Sequence, residues 1–287
     1  MIAIAIRVVI DAVTHFMNGD GSALAARVAL SMVMAVFPFL LFATSLAGFL
    51  GYHDQATDIV DLVFEAWPAD IAEPIVKQVH AALTQRHPGF LSVGIALTVF
   101  FASNGIEVVR KALNRAYRIK ETRSFLHRRV QSLLVVVFGA VLLVVISFFL
   151  VVAPYIAGIA ESSLPDPGTF DVLWRVLRFA ILIAALGSLI LACHIWLPAG
   201  RRPFSEIWPG VLATLIAWIA AASLFAFYLR SFSHYSVMYA GLAGIITAQI
   251  FLYLMAAILI LGGEVNVALW RYRQPEPADR AAAEAQS

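Results

Sequence analysis

The sequence predicts an all-α polytopic membrane protein: six transmembrane helices, an N-terminal amphipathic helix and short external amphipathic helices. Three observations lead there. Of the 287 residues, 61% are hydrophobic and only 13% charged, about half the charge of an ordinary soluble domain. Six apolar stretches reach the roughly 20 residues that a helix needs to cross hydrocarbon at about 1.5 Å per residue. The cations are gathered rather than spread, with eight of the twenty Lys and Arg residues lying between Arg110 and Arg129. Net charge is only +2, so the bulk charge implies no nucleic-acid partner.

Residues 1–18 place Ile2, Ile6, Val9, Ile10, Val13 and Phe16 at helical spacing, with Arg7, Asp11 and Thr14 opposite. That pattern predicts an amphipathic helix on the cytoplasmic surface, the alternative being an extension of the first span packed on the bundle. Arg7 and Asp11 inside the stretch, and no small-residue cleavage pattern after it, argue against a cleavable signal peptide. Gly19-Asp20-Gly21-Ser22 breaks the helix, and Ser22 can cap the next. The membrane domain follows over 19–270, with spans at about 29–50, 88–109, 133–156, 179–197, 209–229 and 238–268.

Within the first span Pro38 removes a backbone bond and is a candidate hinge. The loop Gly51–His87 carries two stretches of helical period, "ATDIVDLVFEAWP" and "DIAEPIVKQVHAAL". They predict two short amphipathic helices over the external face, covering a cavity mouth or simply sealing helix ends. The second span is the weakest, interrupted by Ser92, Ser103, Asn104 and Glu107. After the third comes an acidic, turn-forming loop, "AGIAESSLPDPGTFD". Trp174, Arg175 and Arg178 precede the fourth span, Trp208-Pro209 opens the fifth, and Trp270 and Tyr272 close the sixth. These are interfacial anchors, with the proline where a first helical turn tolerates it. The sixth stretch is over-long and must tilt or overrun the membrane. Residues 271–287, ending "QPEPADRAAAEAQS", predict a disordered cytoplasmic tail.

Charge gives direction. In the six-span layout fifteen Lys and Arg fall on one side, and Lys77, Arg86, Arg175, Arg178 and Arg230 on the other, together with acids such as Asp54, Asp61, Glu65 and Asp171. Cytoplasmic loops are enriched in Lys and Arg, so both termini are expected in the cytoplasm.

The polar residues suggest a site but no catalysis. The single cysteine, Cys193, has no partner for a disulfide or metal site. The seven histidines are scattered over both faces and one span, with no HExxH-like or Ser-His-Asp grouping. No metal, cofactor or enzymatic activity is expected. His194 beside Cys193 is expected to be an ordinary bundle residue, and Tyr228, Arg230, His234, Tyr235 and Tyr239 an aromatic-belt anchor.

In the basic segment Val109, Leu113, Ala116 and Tyr117 share a helical stripe. Arg110, Lys111, Arg118, Lys120, Arg128 and Arg129 are expected to contact lipid headgroups. The candidate transport or structural network is Asn104, Glu107, Asn114, Arg115, Gln249, Glu264 and Asn266. Glu264 is the sharpest of these, because an acid at mid-membrane costs about 2.5–3.5 kcal/mol. Counting from Met238, about 20 residues of rise bring the chain to the interface near Leu259, so Glu264 sits at or just inside the cytoplasmic boundary. It is either a structural ion pair or a coupling group. Gly262-Gly263 before it permit another backbone to approach closely.

Four segments carry a resemblance: "ALSMVMAVFPFLL", "GIEVVRKALNRAYRIKETRSFLHRRVQSLL", "WPGVLATLIAW" and "YLRSFSHYSVMYAGLAGIITAQIFLYLMAAILILGGEVNVAL". From about Ala26 to Ala268 the chain resembles the YihY/BrkB family, most specifically at Asn114-Arg115, the Tyr-rich turn before the sixth span, and Gly263-Glu264-Val265-Asn266. It departs from the family where Phe251, beside Tyr253, stands in place of a tryptophan. The resemblance implies a six-span protein of the bacterial inner (plasma) membrane without an agreed activity, in a family that has carried virulence-factor and historical ribonuclease labels.

Two functions are therefore expected. The first is transport or export of an amphipathic or anionic, lipid-like envelope component; the alternative is a non-transporting scaffold for envelope machinery. Ribonuclease activity is not expected. The partners implied are membrane lipids with anionic headgroups at the cytoplasmic face, with a homo-oligomer or an envelope protein also compatible.

Overall fold

The computed structural model describes residues 2–49, 88–147, 149, 167–200, 202–232 and 240–273. Among them are seven helices and no strand: α1 (Ile2–Asn18), α2 (Gly21–Phe49), α3 (Pro88–Ala116), α4 (Phe125–Ser147), α5 (Pro167–Trp196), α6 (Phe204–Phe232) and α7 (Ala240–Arg273). The segment 51–87, most of the loop after the third span, the turn 233–239 and the tail lie outside the described residues, and with them the external helices and the disordered tail expected there.

Among the described residues four helices are long and apolar enough to cross a membrane: Phe125–Leu142 in α4, Val172–Trp196 in α5, Phe204–Leu229 in α6 and Ile245–Arg273 in α7. Most of the outward-facing side chains of these helices are apolar. Leu134, Val137, Val172, Ile216 and Leu224 are among them. So much unpaired apolar surface suits lipid and is foreign to a soluble monomer. In α2 the apolar stretch among described side chains is Gly21–Ala35, and α3 is broken by the polar and charged groups seen in its sequence.

Most helices start before their apolar runs and several end after them. Hydrocarbon thickness limits the apolar part, while backbone hydrogen bonding continues into the interface until a cap stops it. At the end of α3 the stop is a Schellman turn: Ile119 N donates to Asn114 O at 2.8 Å and Arg118 N to Arg115 O at 2.9 Å. Arg118 takes the left-handed position, at φ 58°, where glycine is usual. Ser124 starts α4, its hydroxyl accepting from His127 N at 3.4 Å. The backbone of α2 stays helical across position 38.

The chain divides into two compact units. One comprises Met1–Gly19, Leu113–Ile216 and Leu259–Ser287, the other Asp20–Ala112 and Ala217–Ile258. In the second unit Ala25, Val28 and Ala29 form a buried stripe on α2, and Ser31 approaches Gly105 of α3. Ser22 and Tyr253 share a hydrogen bond of 2.9 Å, Trp218 Nε1 donates to Met255 O at 2.8 Å, and the Phe225 and Phe251 rings meet at 5.2 Å. In the first unit α1 buries Val8, Ala12 and Phe16, one residue per turn, and turns Ile6, Val9, Ile10 and Val13 outward. There α4 packs on α5.

Within the first unit α6 and α7 cross at glycines. A Cβ on Gly210 would collide with the Gly262 carbonyl and the Asn266 amide, and one on Gly262 would collide with Thr214 Oγ1. Lipid is as apolar as leucine, so close backbone approach and hydrogen bonding, rather than escape from water, hold such a crossing together.

Candidate functional site

The first unit gathers most of its buried polar side chains around the Schellman turn of α3. Asn266 on α7 is 1% exposed. Its Oδ1 accepts from Gly210 N at 2.6 Å, and its Nδ2 donates to the Tyr117 hydroxyl at 2.9 Å. Pro209, inside α6, opens the backbone ladder there by steric conflict with the preceding turn. The Gly210 N–H is directed to Asn266.

The Tyr117 hydroxyl also contacts His194 Nδ1 at 2.8 Å. With Asn266 donating to it, the hydroxyl is free to donate in turn to Nδ1 of a neutral His194 ring. Nε2 is buried with no hydrogen-bond partner among the described residues. Arg202 lies over the Tyr117 ring at 5.0 Å and the Trp270 ring at 5.5 Å, a cation held between two π faces. Burial pushes the Tyr117 phenol up to about 12, against the smaller lowering influences of the Asn266 bond and the Arg202 charge.

A second set ties the loop after α3 to the end of α5. Asn114 Nδ2 donates to Glu121 Oε2, and its Oδ1 accepts from Ala199 N, both at 2.8 Å. Arg123 grips Glu121 through Nε at 2.8 Å and Nη2 at 3.0 Å. Arg123 also donates to Leu197 O at 2.6 Å, Trp196 O at 3.3 Å and Gln131 Oε1 at 2.7 Å, while Gln131 Nε2 donates to Trp196 O. The guanidinium thus satisfies the carbonyls left bare at the C-terminus of α5, where the helix dipole favours a cation. Hydrogen bonding from Arg123 is the largest cause that holds the Glu121 carboxyl down at about 2, with the Asn114 bond adding to it against desolvation.

A third set is less complete. Arg118 Nε donates to His15 Nε2 of α1 at 3.1 Å, and its Nη2 stands 3.8 Å from Glu264 Oε2. Glu264 is only 3% exposed. Its Oε2 and Arg118 Nη1 are buried without hydrogen-bond partners among the described residues. Asp11 of α1 and Arg115 of α3 lie near enough to act on Glu264 by charge.

Four of the expected network residues, Asn114, Arg115, Glu264 and Asn266, therefore fall in this unit. Asn104, Glu107 and Gln249 belong to the other, where Glu107 pairs with Arg110. Arg110, expected at a headgroup surface, is instead 1% exposed and paired with Glu107 one turn earlier. Arg118, expected there too, is half-buried and turned toward α1 and α7. Lys111 and Lys120 are exposed, and Arg128 and Arg129 half-exposed. Pro38 lies on α2, where its side chain is not described. Sequence reading passed over Tyr117, Glu121, Arg123, His194 and Arg202 as members of the site. The available signal was Glu121, the one acid between Arg110 and Arg129. Among the described residues no three His, Cys, Asp or Glu side chains are placed to hold a metal ion.

Long apolar helices enclosing a polar cluster define an α-helical membrane protein. The chain belongs to the virulence factor BrkB family, whose model matches residues 12–287. It is 28% identical over 255 residues to the ribonuclease-like protein YfkH of Bacillus subtilis, covering 89% of this chain and 92% of the relative. It is 24% identical over 263 residues to a UPF0761 membrane protein of Pseudomonas paraeruginosa (88% and 62%). A UPF0761 membrane protein of Alteromonas mediterranea is 23% identical over 262 residues (90% and 85%). The chain thus spans about three-fifths of the length of the Pseudomonas relative. No solved structure matches it.

Proposed function

We propose that the chain is a six-span protein of the bacterial inner membrane, both termini cytoplasmic, that moves an anionic, amphipathic envelope component and catalyses no reaction. The observation that supports this most is the Glu264–Arg118 pair. Glu264 is buried and Arg118 half-buried, the two stand 3.8 Å apart, and each has a buried polar atom without a hydrogen-bond partner among the described residues. A buried pair with every bond made would be a static clamp. One left open can trade Glu264 for an incoming anionic headgroup, and buried ionisable groups in membrane helices are too costly to keep without a use. Arg115 and His15 beside it would extend the anion's reception, and the exposed Lys111 and Lys120 would attract it to the cytoplasmic rim.

The test is purified full-length protein in liposomes carrying labelled phosphatidylglycerol. The wild type accelerates transfer between leaflets, and Glu264→Gln and Arg118→Gln each slow it by about tenfold or more, a loss of about 1.4 kcal/mol or above. Transfer no faster than in protein-free liposomes would contradict transport. A second reading, a non-transporting scaffold for envelope machinery, is favoured by the completed bonding of Asn114, Glu121 and Arg123, which suits a rigid cytoplasmic platform. It requires a stable protein partner recovered by cross-linking in membranes.

A further inference from the structure

Helix α1 has three faces rather than two. At about 100° per residue, Val8, Ala12 and Phe16 share one side, and all three are buried. Asp11 and His15 flank them and are half-buried. Ile6, Val9, Ile10, Val13 and Met17 fill a second arc about 100° wide, from 45% (Val13) to 66% (Met17) exposed. Arg7, Thr14 and Asn18, polar and exposed, make the third. The single apolar face expected from the sequence is thus divided: Phe16 turns to the protein, while Ile6, Val9, Ile10 and Val13 turn outward.

Depth decides what meets the outward arc. His15 Nε2 accepts from Arg118 Nε at 3.1 Å, and Arg118 Nη2 stands 3.8 Å from Glu264 Oε2. Glu264 lies within the 29-residue apolar stretch Ile245–Arg273 of α7. That stretch rises about 43 Å, against a hydrocarbon core of about 30 Å. From Glu264 to Arg273 the rise is about 13 Å. Even with the whole overrun at the Arg273 end, Glu264 therefore stands at the hydrocarbon boundary, and otherwise inside it. Helix α1, joined to Glu264 through one guanidinium, lies at the same level, beside the spans rather than out in water.

The apolar arc also lies on the far side of α1 from the pair. Ile6 and His15 are half a turn apart around the helix, so the width of α1, about 10 Å, stands between the pair and whatever the arc touches. No charged side chain interrupts the arc, and the polar face borders it on one side only. An uncharged apolar arc with a polar edge is the pattern of a helix lying in the membrane plane.

We infer that α1 is embedded in the interfacial layer of the bilayer. Its outward arc rests on acyl chains, and Arg7, Thr14 and Asn18 meet headgroups and water. Its remaining face is a wall that keeps lipid from the Glu264–Arg118 pair. This arrangement holds whether or not the chain transports anything.

Power-saturation electron paramagnetic resonance of the full-length protein in liposomes tests it, with one nitroxide at a time on Val9→Cys, Val13→Cys or Thr14→Cys. All three positions are exposed, and the native Cys193 is buried, so the unsubstituted chain is the labelling control. The Val9 and Val13 labels should relax more with oxygen, which partitions into acyl chains. The Thr14 label should relax more with a water-soluble nickel chelate, a reversal of preference between adjacent positions. A nickel preference at Val9 and Val13 would put the arc in water and overturn the inference. Poor access of both reagents there would show protein covering the arc, and spin–spin broadening lost on dilution with unlabelled chains would show a second copy on it. Either result would overturn it as well.

Discussion

The side-chain amide of Asn266 donates to the Tyr117 hydroxyl at 2.9 Å across 149 positions of sequence, while the same amide's oxygen takes the Gly210 N–H. One residue thereby joins α7 to the turn after α3 and to the proline-opened start of α6. The hydroxyl passes the connection on to His194 of α5. A chain of single bonds of this kind has no spare partner at any link.

Asn266→Leu should therefore leave the Gly210 N–H without its acceptor and the Tyr117 hydroxyl without its donor. Tyr117→Phe should strand the Asn266 Nδ2 and His194 Nδ1. Each loss is expected to cost about 1–3 kcal/mol, seen as a lower midpoint in thermal unfolding of the detergent-purified protein. The double variant should lose much less than the sum, because both break the same link.

The glycine crossing makes a contrasting pair. Gly210→Ala forces α6 away from the Gly262 carbonyl and is expected to cost about 1–3 kcal/mol or more. Gly139→Ala meets only Leu189 Cδ1, at 4.0 Å, and should be neutral or stabilising by up to about 1 kcal/mol through helix propensity. The same melting measurement decides both.

Arg118 holds φ 58°, a conformation that costs a non-glycine residue about 1–2 kcal/mol. Arg118→Ala and Arg118→Gly both lose the contacts to His15 and Glu264, but only alanine keeps the backbone penalty. The glycine variant should accordingly be the more stable of the two by about 1 kcal/mol, while the proposed lipid transfer should fall equally in both.

Two titrations set the pH limits of the cluster. The Glu121 carboxyl is depressed from 4.5 to about 2 in the folded chain. The unfolded chain therefore binds that proton first. The stability this group contributes is present above about pH 4.5 and is lost as pH falls toward about 2. Tyr117 is raised from 10.0 to about 12, so the unfolded chain releases its proton first and stability declines as pH rises from about 10 toward about 12. Melting midpoints against pH should show both limbs; Glu121→Gln should flatten the acid one and Tyr117→Phe the alkaline one.

Much of this was legible in the sequence for definite reasons. Long apolar runs marked α4 to α7, because hydrocarbon thickness imposes a minimum length. Glu264 and Asn266 stood out as polar groups in or beside such runs, and Asn114 through the family resemblance. The end of α3 was not legible, since its left-handed position is held by an arginine rather than a glycine. Nor was the burial of Arg110, which pairs with Glu107 one turn earlier. Tyr117 and His194 lie 77 residues apart, and nothing local in either segment signals the other. Their pairing exists only once α3 and α5 are brought together.

Every role given to the cluster depends on its lying at the cytoplasmic end of the membrane. The direct test introduces a cysteine at Lys120, exposed beside the cluster, or at Val172, exposed near the other end of α5, in a chain whose native Cys193 is buried. A membrane-impermeant thiol reagent added to intact cells should label the Val172→Cys chain at once and the Lys120→Cys chain only after the membrane is opened. Labelling of Lys120→Cys from outside, with Val172→Cys protected, would contradict the account.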